Sequence, residues 1–422
     1  MTDLIEKTLH RLGEQLGGRL SLPGDDRYTA ATAIWAKPVG RMPRAVAHCR
    51  TPEDVQSAIR AARNCDLPFS VRGGGHDWAG RALCAGLVID LSGMNDVAIG
   101  SDNRSARISG GARASDVAAV TDPLRVAAVA GSYGGVGMAG FTLGGGYGAL
   151  IGRFGLALDN LIAAEVVLAD GRLVVAQADS EEELLWALRG GGGNFGVVTS
   201  MHYRLHDLPS VRSGMLIYPF SEATAVLAGC ADIAASAPEE LTVQLGCVFG
   251  PDGAPVVMVV PTWCGRPEEG EARVAPFLEV GTLLAGGVDV SSYGASLTAF
   301  DAYIVNGQRA LMETCSAGFL RSTAAASASS SRRWRPRSRR VARSSPTNSG
   351  ARPRECRRRR RPSAFAATMC SSKFSPCSPI ARTSSRSIGI ANGLAPLSRP
   401  SMRWRFLVDI RTSWQRATRT VR

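Results

Sequence analysis

The stretch SVRGGGH, residues 70–76, follows a short apolar segment typical of a strand and ends on a histidine. Three successive glycines allow main-chain N–H groups to close around a diphosphate, because no Cβ blocks the approach and a positive φ costs little. Taken alone, the same residues also describe a glycine-rich turn with an exposed His76. The stretch therefore predicts an anion-binding loop only where other ligand-binding segments accompany it.

A second glycine-rich run, GSYGGVGMAGFTLGGGYG, spans residues 131–148. Its G-x-G-x-x-G spacing at Gly135, Gly137 and Gly140 is found in the nucleotide-binding turn of Rossmann folds. That fold needs a helix after the third glycine, and the residues that follow here are too rich in glycine to continue one. These later glycines are Gly144, Gly145, Gly146 and Gly148. We therefore interpret the run as loop backbone that lies against a flat ligand.

A third segment, RFGLALDN at 153–160, leads into a strand and then into a hairpin-like turn at Asp170-Gly171. A helix is predicted at 180–189, and the stretch LWALRGGGGNFGVV at 185–198 carries four successive glycines. One glycine suffices to cap a helix, so contact between this backbone and a ligand is favoured. Asp159 and Asn160 either touch that ligand or cap a helix, and the sequence leaves both readings open.

Together these segments resemble the vanillyl-alcohol-oxidase-type flavoproteins, within the berberine-bridge-enzyme-like group of FAD-linked oxidoreductases. The resemblance covers about residues 28–320. It rests on an ordered set of motifs, which are RGGGH, DLSGMN, GGVGMAGFTLGGGYG, GLALDN, LADGR and WALRGGGGNFGVVT. Any one of these motifs is weak, but their order is specific.

The resemblance implies FAD as the cofactor, with its pyrophosphate in the first glycine loop and a covalent bond from His76 to the 8α-methyl carbon of the ring. Some relatives add a cysteinyl bond from the position occupied here by Tyr133, so we predict a single covalent link. The residues implied to bind FAD are Arg72, Gly73, Gly74, Gly75, His76, Tyr133, Gly134, Gly135, Val136, Gly137, Gly140, Gly144, Gly145, Gly146, Gly148, Asp159, Asn160, Gly193, Asn194, Gly196, Val197 and Val198.

The implied reaction is removal of a hydride from a small-molecule alcohol, amine or sugar to flavin N5, with O2 as the acceptor. A small residue at the position of Val136 is associated with oxygen access in the family, which favours an oxidase, although Val136 could simply pack. The alternatives are a flavin dehydrogenase with another acceptor and an inactive, truncated flavoprotein. Such a reaction needs a base. The family's Tyr or carboxylate is not found here, and residues 321–422 contain no Tyr.

The sequence predicts an α+β fold. Residues 1–44 form an N-terminal helix and lead-in, and residues 45–208 form a two-subdomain FAD-binding domain of the PCMH type. Residues 209–320 form part of a substrate domain, with strands at 214–220, 241–248 and 255–261 and helices at 221–236 and 267–280 covering the sheet. We place the domain boundary near Leu208-Pro209.

The basic character of the chain comes from its last hundred residues. Residues 321–422 hold 24 Arg and one Lys against Glu355 and Asp409, whereas residues 1–320 hold 24 basic and 34 acidic side chains. Runs such as SRRWRPRSRR have too little apolar surface to offset the entropy of ordering, so this tail is predicted to be disordered. It is either an arginine-rich arm for nucleic acid or the product of a shifted reading frame, and the abrupt onset favours the frameshift. Nucleic acid is therefore not an expected partner.

Other classes of protein find little support. The N-terminal segment is an amphipathic helix without an apolar export signal, and the ten cysteines are scattered singly, which indicates a cytoplasmic protein with reduced thiols rather than a membrane protein. The histidines His10, His48, His202 and His206 are isolated, so no metal site is expected. The expected partners are a small-molecule substrate and O2, and the sequence does not indicate an oligomeric state.

Overall fold

The computed structural model describes residues 2–36, 42–250, 252–299, 301, 307, 315–316 and 405–408. The first sheet has four strands in the order β1-β2-β4-β3. They are β1 Leu20–Ser21, β2 Ala45–His48, β3 Phe69–Arg72 and β4 Leu87–Asp90. β2, β3 and β4 run parallel, and β4 is buried along its whole length because helices cover both faces of the sheet.

Three helices flank this sheet, namely α1 Thr2–Gln15, α2 Asp26–Thr32 and α3 Pro52–Asn64. α3 begins at a capping box in which Thr51 and Asp54 satisfy each other's backbone N–H groups, with a proline in the first turn. Leu12 of α1 and Leu16, which follows α1 directly, are buried in the same core as Val55 and Ile59 of α3. The predicted N-terminal helix is thus an integral layer of the core around the first sheet.

The second sheet is antiparallel and has the order β5-β6-β10-β8-β9. Its strands are β5 Val97–Ile99, β6 Ser105–Ser109, β8 Leu161–Val167, β9 Leu173–Ala176 and β10 Val197–Arg204, and β7 Val126–Ala127 pairs separately with β11 His206–Asp207. The helices of this part are α4 Ala114–Thr121, α5 Met138–Leu143, α6 Ile151–Phe154 and α7 Glu182–Gly191. Their apolar faces and the sheet share one core that includes Ile108, Leu150 and Met201.

The third sheet contains the strands β12 Val211–Ser213, β13 Leu216–Pro219, β14 Leu241–Phe249, β15 Pro255–Trp263, β16 Ala285–Gly286, β17 Asp289–Ser291, β18 Cys315–Ser316 and β19 Arg405–Val408. Its main path runs β16-β13-β15-β14-β19-β18, and β12 pairs with β15 and β17. The helices α8 Ala223–Ala235, α9 Gly270–Val274 and α10 Tyr293–Thr298 accompany it. The three strands predicted for the substrate domain correspond to β13, β14 and β15.

Two details differ from the sequence-based expectations. The run at 131–148, interpreted as loop throughout, contains the one-and-a-half-turn helix α5, which ends as expected where Gly144 begins the next glycines. The single helix expected at 267–280 is interrupted, with 3-10 turns at Pro267–Glu269 and Ala275–Glu279 on either side of α9. Pro276 explains the second interruption, because proline lacks the N–H that an α-helix needs.

Most of the tail lies outside the described residues. Arg405–Val408 is its only described part and forms strand β19, an exception to the structureless segment expected there. The predicted domain boundary near Leu208-Pro209 falls between β11 and β12 and stays a prediction. Within the described ranges, no helix combines the length and apolar character needed to cross a membrane.

Gly111, just after β6, offers a test of how tightly the flavin domain is packed. A Cβ at this position would overlap the carbonyl oxygen of Leu91, and backbone cannot move aside as a flexible side chain can. We expect Gly111→Ala to lower the free energy of unfolding by about 3 kcal/mol, as overpacked sites do, measured by urea unfolding of the full chain. Gly287→Ala is the matched control, because a Cβ at Gly287 meets no atom within 4 Å. Equal urea midpoints for the two variants would contradict this packing.

Candidate functional site

The first glycine loop begins where β3 ends. Arg72 is the last residue of β3, and Gly75 has a φ of +73°, a left-handed conformation that favours glycine. The carbonyl oxygen of Gly75 accepts a hydrogen bond of 2.8 Å from the backbone N–H of Trp35. The turn at Gly75 therefore presents His76 beside the segment that follows α2.

The second glycine loop lies directly on the first. A Cβ built on Gly74 would overlap the backbone of Gly137, and a Cβ on Gly137 would overlap that of Gly74. Hydrogen bonds of 2.9 Å from Ala114 N to Val136 O and from Met138 N to Ala112 O hold the second loop against the start of α4. Both glycines are thus required for the two loops to meet.

A third backbone segment, at Gly110, packs against the first loop and the start of β10. The Cβ position of Gly73 is 3.2 Å from the carbonyl oxygen of Gly110, and Gly110 N donates to Thr199 O over 2.8 Å. A Cβ on Gly110 would overlap the carbonyl oxygen of Val198. The predicted residues Val197 and Val198 are therefore buried at the start of β10, close to the first loop.

His76 is half-buried among aromatic rings. Its ring centroid lies 4.4 Å from that of Trp35, 5.5 Å from that of Tyr133 and 6.2 Å from that of Trp78. Burial lowers the pKa of His76 from 6.5 to about 4, although the charge of Asp77 acts in the opposite direction. The imidazole is therefore neutral at physiological pH and keeps a ring nitrogen lone pair for bonding.

The residues present suit a flavin nucleotide. The glycine contacts bring the backbones of the two loops together without intervening side chains, and backbone N–H groups of such glycine-rich turns are the donors that bind diphosphates. Trp35 Nε1 and Arg72 Nε are buried donors without a hydrogen-bond acceptor in the described part of the chain. Buried donors are normally satisfied, so a polar ligand would supply what these two lack.

Tyr133, Gly134 and Gly135 lie in the second loop as predicted. The Tyr133 ring covers Gly135, where a Cβ would come within 2.7 Å of the ring carbon Cζ. Gly134 donates to Leu297 O and accepts from Ser115 N, both over 2.9 Å. Burial raises the pKa of Tyr133, and the nearby Asp301 acts in the same direction. The phenol is therefore protonated at neutral pH.

At several later glycines the space that a Cβ would occupy is filled by protein atoms, and contact of these residues with flavin stays a prediction. Gly146 has a φ of +72°, and its Cβ position overlaps Ala157. A Cβ on Gly148 would overlap the carbonyl oxygen of Ala130, and one on Gly196 would lie 2.6 Å from Val166 Cγ1. These three positions need glycine because neighbouring protein atoms fill the space.

Other glycines of the same segments are open. Cβ positions at Gly140 and Gly193 meet no atom within 4 Å, and Gly144 is exposed. Gly145, like Gly190, has a positive φ and lies close to Leu158, so the loop after α5 is a neighbour of the end of α7. The predicted residues at the first loop and those near Leu158 therefore lie in different parts of the site.

Asp159, Asn160 and Asn194 all make local hydrogen bonds. Asp159 accepts from Leu156 N over 2.8 Å and caps the 3-10 turn Ala157–Asn160. Asn160 donates to Leu156 O over 2.9 Å and lies 2.7 Å from Nε2 of His206, while Asn194 donates to Gly191 O over 2.8 Å. The capping role left open for Asp159 is therefore present, and contact of these residues with flavin stays a prediction.

Sequence reasoning missed two features of the site. Trp35, beside His76, lies outside every glycine motif, so no local signal marked it. His48, dismissed as an isolated histidine, bonds through Nδ1 to Asp90 over 3.0 Å, and Asp90 accepts from Arg72 over 2.8 Å. These contacts join separate strands, and a linear pattern does not reveal them.

Fold and site together define an α+β flavin-nucleotide-binding domain. Residues 43–177 match the family described as the FAD binding domain. The chain is 32% identical over 280 residues to (R)-6-hydroxynicotine oxidase of Paenarthrobacter nicotinovorans, which covers 65% of this chain and 61% of that protein. It is 34% identical over 219 residues to the FAD-linked oxidoreductase pgmH of Aspergillus terreus, covering 51% and 44% of the two chains. The chain thus spans less than two thirds of these relatives.

Solved structures share the fold of this chain. The 6-hydroxy-D-nicotine oxidase from Arthrobacter nicotinovorans superposes with a TM-score of 0.64 at 31% identity, covering 68% of this chain and 65% of that one. BBE-like 1 of Physcomitrella patens shares the fold, with a TM-score of 0.60 at 24% identity and coverage of 68% and 63%. Residues 43–177 thus carry the FAD binding domain that the motifs predicted, and the chain is similar to FAD-linked oxidoreductases and shares the fold of a berberine-bridge-enzyme-like protein.

The lowered pKa of His76 can be measured in flavin-free protein. We expect its imidazole C–H signals to titrate with a midpoint near pH 4 in NMR spectra, assigned by comparison with His76→Gln. Because the folded pKa lies below 6.5, the unfolded chain takes up the proton first, and this contribution to stability is lost as pH falls from 6.5 to about 4. A midpoint near 6.5 would show that the ring is solvated rather than enclosed.

Proposed function

We propose that this chain is a FAD-linked oxidase whose flavin is attached through a single bond to His76. The observation that carries the proposal is the placement of a neutral imidazole at the end of the first glycine loop, enclosed by Trp35 and Tyr133. The substrate class is a small-molecule alcohol, amine or sugar, and O2 is the electron acceptor. A relative whose name is (R)-6-hydroxynicotine oxidase supports the oxidase assignment.

Each part of the site has a defined task in this proposal. Backbone amides around Gly73, Gly74 and Gly137 would hold the pyrophosphate, and Trp35 Nε1 would donate to a polar atom of the cofactor. His76 would orient the ring by a covalent bond. When bound, the flavin supplies the acceptor for the substrate's hydride. Enclosure by aromatic side chains excludes water from the attachment point, which strengthens every polar contact made there.

Tyr133 limits the number of covalent links. A phenol with a raised pKa is a poor nucleophile compared with a thiolate, so the position that carries cysteine in doubly linked relatives cannot form that bond here. The Tyr133 ring instead packs against His76 and over Gly135. A single histidyl link is therefore the proposal for this chain.

Val136 is proposed to admit oxygen. Its half-buried side chain lies over Gly131, whose Cβ position is 3.4 Å from Val136 Cγ2. A compact residue here leaves more room beside the first loop than a longer one would. A dehydrogenase with another acceptor is the second candidate.

We also propose a reducing, cytoplasmic location. In the described part of the chain, Cys49, Cys65, Cys84, Cys230 and Cys264 are free thiols, and all of these except Cys84 are buried. Burial raises the pKa of Cys230 and of Cys264 to about 12, so neither is a reactive thiolate at neutral pH.

The attachment site can be tested by denaturation. Wild-type protein loaded with FAD should keep its yellow colour and in-gel fluorescence after denaturation, and His76→Ala should release the flavin completely. Tyr133→Phe is the matched control, because it removes the phenol hydroxyl and leaves His76 untouched. Flavin retained by denatured His76→Ala would place the bond elsewhere, and flavin lost from Tyr133→Phe would contradict a single link through His76.

Oxygen access can be tested without a known substrate. In photoreduced, FAD-loaded protein we expect air to restore the oxidised absorbance rapidly, and Val136→Leu to slow this recovery about tenfold, which corresponds to ~1.4 kcal/mol in the barrier. Val120→Leu on the exposed face of α4 is the matched control. Slow recovery in the wild type would favour the dehydrogenase, and equal rates in all three proteins would remove the role of Val136.

A further inference from the structure

Four polar side chains form a hydrogen-bonded row across the first sheet. His48, Asp90 and Arg72 are the last residues of the parallel strands β2, β4 and β3, and Ser21 lies on the antiparallel strand β1, in register with Val46. Asp90 is in register with His48 on one side and with Arg72 on the other. The links measure 2.8 Å from Ser21 Oγ to His48 Nε2, 3.0 Å from His48 Nδ1 to Asp90 Oδ2, and 2.8 Å from Arg72 Nη1 to Asp90 Oδ1.

Asp90 fixes the hydrogen-bond directions in this relay. A carboxylate only accepts hydrogen bonds, so His48 Nδ1 carries a proton and donates it. Asp90 also accepts from the backbone N–H and the hydroxyl of Ser92, which brings its accepted bonds to four. Burial by itself would raise the pKa of Asp90, but the His48 bond and the charge of Arg72 lower it overall. The carboxylate stays ionised, and all of its hydrogen-bond acceptor positions are used.

The other end of the relay supports the first glycine loop. Arg72 Nε lies 3.3 Å from the Cβ position of Gly75, so the guanidinium rests against the left-handed turn. The same turn accepts a hydrogen bond from Trp35 N at Gly75 O. His76 is the next residue, and its ring packs on Trp35 at 4.4 Å. Displacement of the guanidinium would therefore remove a contact from the Gly75 turn, and this turn sets the orientation of His76.

We propose that Ser21, His48 and Asp90 are positioning residues that hold Arg72, and through it the Gly75 turn and His76, in the geometry needed for flavin attachment. This inference rests on the proposed linkage at His76. The role resembles that of outer-shell partners at metal sites, where a carboxylate and a histidine orient a ligand that does the bonding.

The same order of Ser, His and Asp occurs in hydrolases, but here it cannot serve as a nucleophile. Ser21 is 1% exposed and Asp90 2%, so a substrate has no access to the hydroxyl. Asp90 is also engaged by Arg72, which in a hydrolase would compete with the histidine for the carboxylate. Orientation of the loop is the task that this geometry supports.

His48→Ala is the informative variant because it breaks the relay while leaving the Arg72–Asp90 ion pair intact. We expect covalent incorporation of added FAD to slow at least about tenfold, in the range seen when outer-shell partners are removed. Ser21→Ala should slow it less, since His48 keeps its bond to Asp90. His48→Asn should recover much of the rate, because its side-chain N–H₂ can donate to Asp90. The matched control is His10→Ala on the exposed face of α1.

A second readout needs no flavin. Diethyl pyrocarbonate modifies accessible neutral imidazoles, and peptide mass spectrometry of the full chain gives the modification rate at His76 alone. We expect His48→Ala to raise that rate severalfold, His48→Asn to bring it back toward the wild-type value, and His10→Ala to leave it unchanged. The melting temperature of each variant is measured alongside.

The outcomes separate the two proposals. Wild-type rates of both incorporation and His76 modification in His48→Ala would overturn the relay. So would a loss of folding in His48→Ala that His48→Asn does not rescue, since the role would then be structural only. If wild-type protein attaches flavin at another residue or not at all, the linkage proposal fails, and the modification rates at His76 still decide whether the relay positions this residue.

Discussion

The site depends on one close approach, that of the backbones of Gly74 and Gly137. Neither residue tolerates a Cβ, because each would overlap main-chain atoms of the other loop, and main chain cannot rotate away. The contact joins the end of a parallel sheet to a loop that is hydrogen-bonded to α4, so it ties the two layers of the flavin domain together. It also brings amides from two loops to one place, which is what binding a diphosphate requires.

Around this contact, the first loop has a polar side and an aromatic side. On the polar side, the buried charges of Arg72 and Asp90 offset each other, and each would be costly to leave alone. On the aromatic side, Trp35 and Tyr133 exclude water from His76, which keeps the imidazole neutral. The two sides complement each other, since a rigid charged support holds the turn while a low-dielectric enclosure preserves the lone pair on the ring.

The sequence predicted what local patterns encode. The glycine runs located both loops, and alternating or apolar runs located β4, β13, β14 and β15. It did not predict which glycines are packed against protein and which are open, because Gly140 and Gly146 look alike until Ala157 is placed beside one of them. It also did not predict the contacts of His48, whose partners Ser21 and Asp90 come from the neighbouring strands β1 and β4. Pairing between strands that are far apart in the sequence is set by tertiary packing and leaves no short-range signal.

The second loop is also the joint between the flavin domain and the third sheet. Gln244 of β14 donates to Ser132 over 2.6 Å, Tyr293 of α10 donates to Ala130 O over 3.2 Å, and Gly134 donates to Leu297 O over 2.9 Å. All three contacts involve residues 130–134, at or just before the start of the run that carries Tyr133 and Val136. A change in β14 or α10 would therefore displace the residues beside His76 through these hydrogen bonds. The third sheet thus shapes the surroundings of His76.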